Sequence, residues 1–334
     1  MSFHTKRRQQ FLGQAHYESE LSALAQGIEL FRSKPAGSGD TEIEGWMISW
    51  RSIARYQLQR VCLRYTAGEP VQAFRQDFEQ VVSSFENFGD WLWRSSGDRN
   101  EPVFQYDVLD EYCQLMQLIG LCFLLHRRDL LPRIAALQDG ESGKGNGGRD
   151  TLYEEFMAFG LGPETRFETD ALCQVRPYED LFNGLTETTP GRALTEIDRF
   201  LKHWYKDLAG TGWHDSHKPD EKGCQSGYFG YWSFEAGAAV LLLGIEDDSR
   251  LHKYLYYPKD LVAWAREHAW LSAADERAAA RLRAAAGEPC PRDGYWMTPA
   301  GTSTRRRFAR GETMPEVGCD YGTTLWQWDD NQAP

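Results

Sequence analysis

The residues of this chain whose types could do chemistry are gathered in one place. Trp213, His214, Asp215, Ser216 and His217 run consecutively and include every residue type of a serine-hydrolase triad. Triads, however, are assembled from distant segments so that nucleophile, base and orienting group converge in space, and neighbours on one loop do not reach that geometry. A G-x-S-x-G elbow is also missing, and the stretch Gly227-Tyr-Phe-Gly-Tyr-Trp-Ser233 does not supply one. His214, His217 and Cys224 stand at H-x2-H-x6-C spacing. A structural zinc site needs four ligands in paired short spacings, and no partner pair accompanies these three. Glu235 lies among small and aromatic residues, where burial would raise a carboxyl pKa. Hydrogen bonds to nearby Tyr, Trp or His groups make it an internal polar tie instead. Among 49 acids no pair is spaced as general acid and base. On the residues alone, no catalytic residue, cofactor or metal site is assigned, and the chain is not read as an enzyme.

The elements that must position this cluster read as helices. Leu21, Leu24, Ile28 and Phe31 fall on one helical face, and PAGSGD at 35–40 ends that helix. Trp46, Trp50, Ile53, Gln57 and Val61 stripe a second helix, which ends near Gly68. Val71, Phe74, Phe78, Val81, Phe85 and Phe88, at alternating steps of 3 and 4, stripe a third. VLDEYCQLMQLIGLCFLL (108–125) is apolar on most sides, which places it mid-bundle. A short helix around Ile134 leads to DGESGKGNGGR (139–149), a flexible glycine-rich loop. It has glycines and Lys144 but lacks the G-x-x-x-x-G-K-[ST] order of a phosphate-binding loop. Thr151-x-x-Glu154 predicts a capping box, followed by helices around 178–185 and 190–208 and through SFEAGAAVLLLG. Pro258 restarts a helix through Trp264, and an alanine-rich helix is predicted over 271–286. The last 45 residues have no helical period and read as short strands and turns carrying one basic patch, Arg305, Arg306, Arg307 and Arg310.

The fold class predicted is all-α: a multi-helix bundle in two helical parts, 1–138 and 150–288, with a small β/turn appendage at 289–334. At 334 residues the chain can bury a substantial core. Its formal charge of −12 disfavours nucleic acid as a direct partner and favours a basic protein. The region 141–199, with twelve acids against six bases, is its most acidic part. Seven scattered cysteines without a C-x-x-C suit a reducing compartment. The longest unbroken apolar run, Leu118–Leu125, is too short to span a bilayer, and the N-terminus has no apolar signal region. The expectation is a cytoplasmic protein with no membrane partner. With 12 Trp, an exposed Trp-rich face would also suit a homodimer.

Three segments resemble a known signature: HWYKDLAGTGWHDSHK (203–218), GYFGYWSFEAGAAVLLLGIEDDS (227–249) and YYPKDLVAWARE (256–267). They look like the PoNe-type nuclease immunity family (PoNi), bacterial proteins that protect a cell from its own polymorphic or type VI-delivered DNase toxin. RVCLRYTAGEPVQAFRQDFEQVV (60–82) and 108–125 resemble the same family's companion helical region, so the likeness spans roughly residues 10–270. The tail from 290 departs from the pattern and resembles a short module at the ends of other bacterial immunity proteins. The resemblance implies an all-helical fold, no catalysis, no cofactor, and inhibition by binding the basic nuclease domain of a cognate toxin. Trp204, Trp213, Tyr231, Trp232, Phe234, Glu235 and Trp264 are then scaffold. Asp215, Asp220, Glu221, Glu246, Asp247 and Asp248, in loops flanking the motif helix, are the candidate toxin contacts. The alternatives are a small metal-dependent or serine hydrolase using the His214–His217 cluster, and a helical scaffold or adaptor.

Overall fold

A computed structural model describes residues 2–143, 145–219, 227–271, 283–298, 305–317 and 324–329. These fall into two compact units, Met1–Glu267 and His268–Pro334. The helical stretches on either side of 138–150 therefore share one unit, and the strand-bearing unit begins ahead of residue 289. As predicted, the chain is mostly α-helical with a small strand appendage.

In the first unit, α1 (Phe3–Lys6) precedes α2 (Gln14–Ser33), α3 (Glu42–Thr66) and α4 (Val71–Ser96), which pack in succession. Thr41 starts α3 with a capping box, its hydroxyl accepting from Glu44 N while the Glu44 carboxylate accepts from Thr41 N. α4 buries the predicted stripe, Val71, Phe74, Phe78, Val81, Phe85 and Phe88, and ends at Gly97 with φ of 72°. α5 (Leu109–Leu124) is buried on nearly all sides. Each fully buried Leu, Ile or Phe on such a helix contributes roughly 1.5–3 kcal/mol. Gly120 sits where α5 meets α10 (Phe234–Leu242): a Cβ there would lie 2.7 Å from Glu235 N. Among the described residues the remaining α-helices are α6 (Leu131–Gln138), α7 (Thr151–Leu161), α8 (Val175–Thr186), α9 (Pro190–Asp207) and α11 (Lys259–Glu267).

Two local expectations are corrected here. The cap of α7 is Asp150, not Thr151: Asp150 Oδ1 accepts from Tyr153 N at 2.9 Å and from Tyr112 Oη at 3.0 Å, while Oδ2 accepts from Cys173 N at 2.9 Å. A carboxylate one residue earlier satisfies three donors where a Thr hydroxyl would satisfy one. Glu154 is thereby released to pair with Arg166. The loop over 139–149 is anchored rather than free, since buried Asn146 donates to Asn100 O at 2.6 Å and Gln138 O at 2.8 Å. Lys144 lies outside the described residues.

Arg166 ties the following loop to this region. Its guanidinium pairs with Asp139 at 2.8 Å and with Glu154 at 2.7 Å, and all three side chains are at least 92% buried. Tyr153 Oη adds a hydrogen bond to Asp139 at 2.7 Å.

In the second unit, β1 (Arg283–Ala285), β2 (Gly294–Met297), β3 (Arg306–Phe308) and β4 (Leu325–Trp328) form an antiparallel sheet of order β1-β4-β2-β3. One face packs Trp296, Phe308 and Trp326 with Ala284, Cys290 and Met314. The alanine-rich helix expected over 271–286 does not reach 283–285, which pair with β4 instead; 272–282 lie outside the described residues. Arg305 pairs with Asp329 and covers the Tyr295 ring at 4.0 Å, so part of the basic patch is engaged within this unit.

Removing one partner from a buried ion-pair network leaves an uncompensated charge. Arg166→Met is therefore expected to destabilise the protein by about 3–5 kcal/mol in urea unfolding. A loss under about 1 kcal/mol would mean that the network is solvated in solution.

Candidate functional site

The segment between α9 and α10 is the centre of the signature, and its inner half is not helical. Residues 228–233 run through the interior without regular hydrogen bonding of their own, yet Tyr228, Tyr231, Trp232 and Ser233 are buried. Buried backbone N–H and C=O groups must find partners, and here side chains distant in sequence supply them. Gln9, 1% exposed, uses its whole amide: Oε1 accepts from Tyr231 N at 2.9 Å and from Tyr228 Oη at 2.6 Å. Its Nε2 donates to Tyr231 O at 2.5 Å and Leu255 O at 3.1 Å. His16 Nε2 donates to Tyr228 O at 3.0 Å, and Gln117 Nε2 approaches Trp232 O at 3.4 Å. Thr66 Oγ1 lies 2.8 Å from Phe229 O and accepts from Trp232 Nε1 at 2.8 Å. Gly230, with φ of 111°, passes so close that a Cβ would fall 2.0 Å from Thr66 Oγ1. Gln9 and Thr66, both outside the sequence-derived site, fix this segment, and Gly120 lets the start of α10 come close to α5.

Glu235 closes the inner end of the segment. Its Oε1 accepts from Trp204 Nε1 at 2.8 Å and Ser233 Oγ at 2.9 Å, while Oε2 is buried with no hydrogen-bond partner among the described residues. Burial pushes its pKa from the ordinary 4.5 to about 7, against the lowering effect of these hydrogen bonds. Trp204 stacks on Trp213 at 5.4 Å and Tyr256 at 4.9 Å; Tyr65 meets Trp232 at 4.6 Å and Phe234 at 5.7 Å. Trp264 is buried beside His126.

The His-Asp-Ser-His cluster is dispersed over this aromatic wall. His214 stacks on Tyr205 at 4.3 Å; the His217 ring lies tilted against Phe11 at 4.2 Å, and its Nδ1 bonds Tyr231 Oη at 2.7 Å. Ser216 Oγ faces Tyr231 Oη at 3.5 Å rather than an imidazole. Desolvation lowers the His217 pKa. Asp215, in the left-handed region at φ of 62°, accepts from Tyr205 Oη and pairs with Lys218 at 2.6 Å, which holds its carboxyl below the usual range. Cys224, Asp220 and Glu221 lie outside the described residues. Among the described residues no three His, Cys, Asp or Glu side chains are placed to hold a metal ion. A cleft of about 210 Å³ is lined by Arg55, Asp110, Gln114, Gln117, Trp213 and Phe229 among others, with neither Ser216, His217 nor Glu235 on its described wall. Of the other acids proposed as contacts, Glu246 and Asp247 are exposed. Asp248 is 5% exposed and accepts from Tyr257 Oη at 2.5 Å and Arg266 at 3.2 Å. It braces α11 from within and presents no carboxylate to a partner.

The described side chains of this segment are engaged in packing and internal hydrogen bonds. Residues 148–261 match the family model described as PoNe immunity proteins (PoNi), C-terminal. The family resemblance holds across that stretch. The PoNi-matching region includes α7 to α10 and the start of α11, but Gln9, His16, Thr66 and Gln117, which satisfy its inner segment, all lie before it. Among solved structures, protein PA2201 from Pseudomonas aeruginosa shares the fold: TM-score 0.58 and 16% identity over 79% of this chain and 92% of that one. No curated protein matches the chain. Among the described residues no helix is long and apolar enough to cross a membrane.

Gln9→Ala strands Tyr231 N and O and Leu255 O, and is expected to cost about 3 kcal/mol by chemical denaturation. Gln9→Glu keeps the shape but loses both donated bonds; a wild-type melting curve for it would show that backbone satisfaction is not what Gln9 provides. For Glu235, the native state binds more protons than the unfolded chain between pH 4.5 and about 7. Stability therefore falls as pH rises through that window, by about 3 kcal/mol in total, with the penalty complete above it. Glu235→Gln should flatten the unfolding free energy between pH 5 and 8, and equal slopes in both proteins would refute the assignment.

Proposed function

We propose that this protein is an immunity protein that binds a cognate antibacterial nuclease of the PoNe type and neutralises it without catalysis. The match of residues 148–261 to the PoNi family carries the reading. The site geometry supports it: the signature residues that could do chemistry are spent on packing, and the perturbed carboxyl of Glu235 is sealed in the core rather than set in a cleft. Charge supports it too. A nuclease presents cationic surface to phosphates, and a chain of net charge −12 can cover that surface and be steered onto it. Asp215, Glu246 and Asp247 remain exposed or half-exposed members of the first contact set. The protein would act inside the cell that makes the toxin.

Co-expression with a PoNe-type nuclease encoded beside the gene is expected to restore growth, and the two proteins should co-purify. The association rate should fall about tenfold or more between roughly 0.05 and 0.5 M salt. Growth arrest despite abundant folded protein would reject the immunity reading; a rate indifferent to salt would reject electrostatic masking alone.

A further inference from the structure

Resting on the immunity reading, we infer that the nuclease docks on the ridge formed by residues 162–175 and the neighbouring turn at 106–108, not on the loops flanking α10. The ridge carries apolar side chains into solvent: Phe167 is 37% exposed, Val175 50% and Val108 43%. Phe167 and Val175 are exposed on one segment whose far end is tied to the Val108 turn, and grouped apolar exposure marks interaction surfaces. It is the makeup of an anchor that a partner's pocket desolvates.

The ridge is held in one conformation from below. Arg166 plugs it into the buried Asp139–Glu154 pair, and Phe167 N donates to Glu154 Oε2 at 3.3 Å. Further along, Ala171 O accepts from Thr151 N at 2.6 Å and Cys173 N donates to Asp150 at 2.9 Å. Gln174 Nε2 reaches Tyr106 O at 2.8 Å, which joins the Val175 end to the Val108 turn. The Phe167 ring lies over Gly147, where a Cβ would come within 2.2 Å of it. A surface loop braced this way has already lost its conformational entropy, so association need not supply it.

Charge names the occupant. Glu164, Glu168 and Asp170 lie along the ridge, Asp107 lies in the neighbouring turn and Glu179 follows in α8; all five are exposed, and none has an ion pair among the described residues. Arg149 and Arg176, both exposed, are cations just outside these stretches. Acids left unneutralised around apolar anchors fit a cationic protein surface with a small apolar notch, such as the phosphate-binding face of a nuclease. The loop after α10 offers less: Asp248 is buried, and Arg250 and Lys253 introduce opposing charge, both paired to Asp198 at 2.8 Å.

The test uses the full chain and an inactivated form of the nuclease that the wild-type chain neutralises in co-expression. The triple variant Glu164→Lys, Glu168→Lys, Asp170→Lys alters exposed side chains only and should melt as wild type. It is expected to weaken binding about 100-fold or more, chiefly through the association rate. Phe167→Ser with Val175→Ser should weaken it about tenfold or more through the dissociation rate. Affinity within about twofold of wild type in the triple variant, together with loss on Glu246→Lys and Asp247→Lys, overturns the ridge and leaves the immunity reading intact. Failure of the wild-type chain itself to bind or protect overturns both.

Discussion

The fold depends on a stretch of backbone that has no secondary structure of its own. Residues 228–233 lie in the interior of a helical unit, where every unpaired N–H or C=O costs on the order of 1–3 kcal/mol. Neither a helix nor a sheet relieves that cost, so single side chains must: Gln9 at Tyr231, Thr66 at Phe229, His16 at Tyr228 and Gln117 at Trp232. The close passages at Gly120 and Gly230 follow, because the segment and α10 must come near enough for those bonds to form. The signature is rich in aromatic and small residues because it must thread this space.

Elements whose burial is periodic were legible from the sequence. The stripes of α2, α3 and α4 and the all-round apolarity of α5 predict helices close to those observed, and the loss of period in the last 45 residues predicts β2 to β4 but not β1. What was not legible is polar and non-local. Nothing around Gln9 signals that its amide meets a chain segment more than 200 positions later. Asp150 outcompetes the Thr151 cap because it also serves Tyr112 and Cys173, donors that adjoin it only in the folded state. Asp248 reads as a loop acid but is drawn inward by Tyr257 and Arg266.

The apparent catalytic cluster teaches a related point. Adjacent side chains on a tight loop point in divergent directions, so His214, Ser216 and His217 each meet an aromatic ring or phenol rather than one another. Glu235 shows that a displaced pKa alone does not mark an active site, since burial produces it where no substrate could reach.

The long reach of Gln9 also governs when the protein can become whole. Its two partner loops, at 228–231 and at 255, leave the ribosome more than 200 residues after Gln9 itself. Helices α2 to α5 can collapse early from local contacts, but the cavity that receives the threaded segment stays open until then. Completion of the core thus waits on the synthesis of residue 255, however early the helices form. A truncated chain from an interrupted message would hold the helices without the thread, and would be a substrate for proteolysis rather than a partly competent protein.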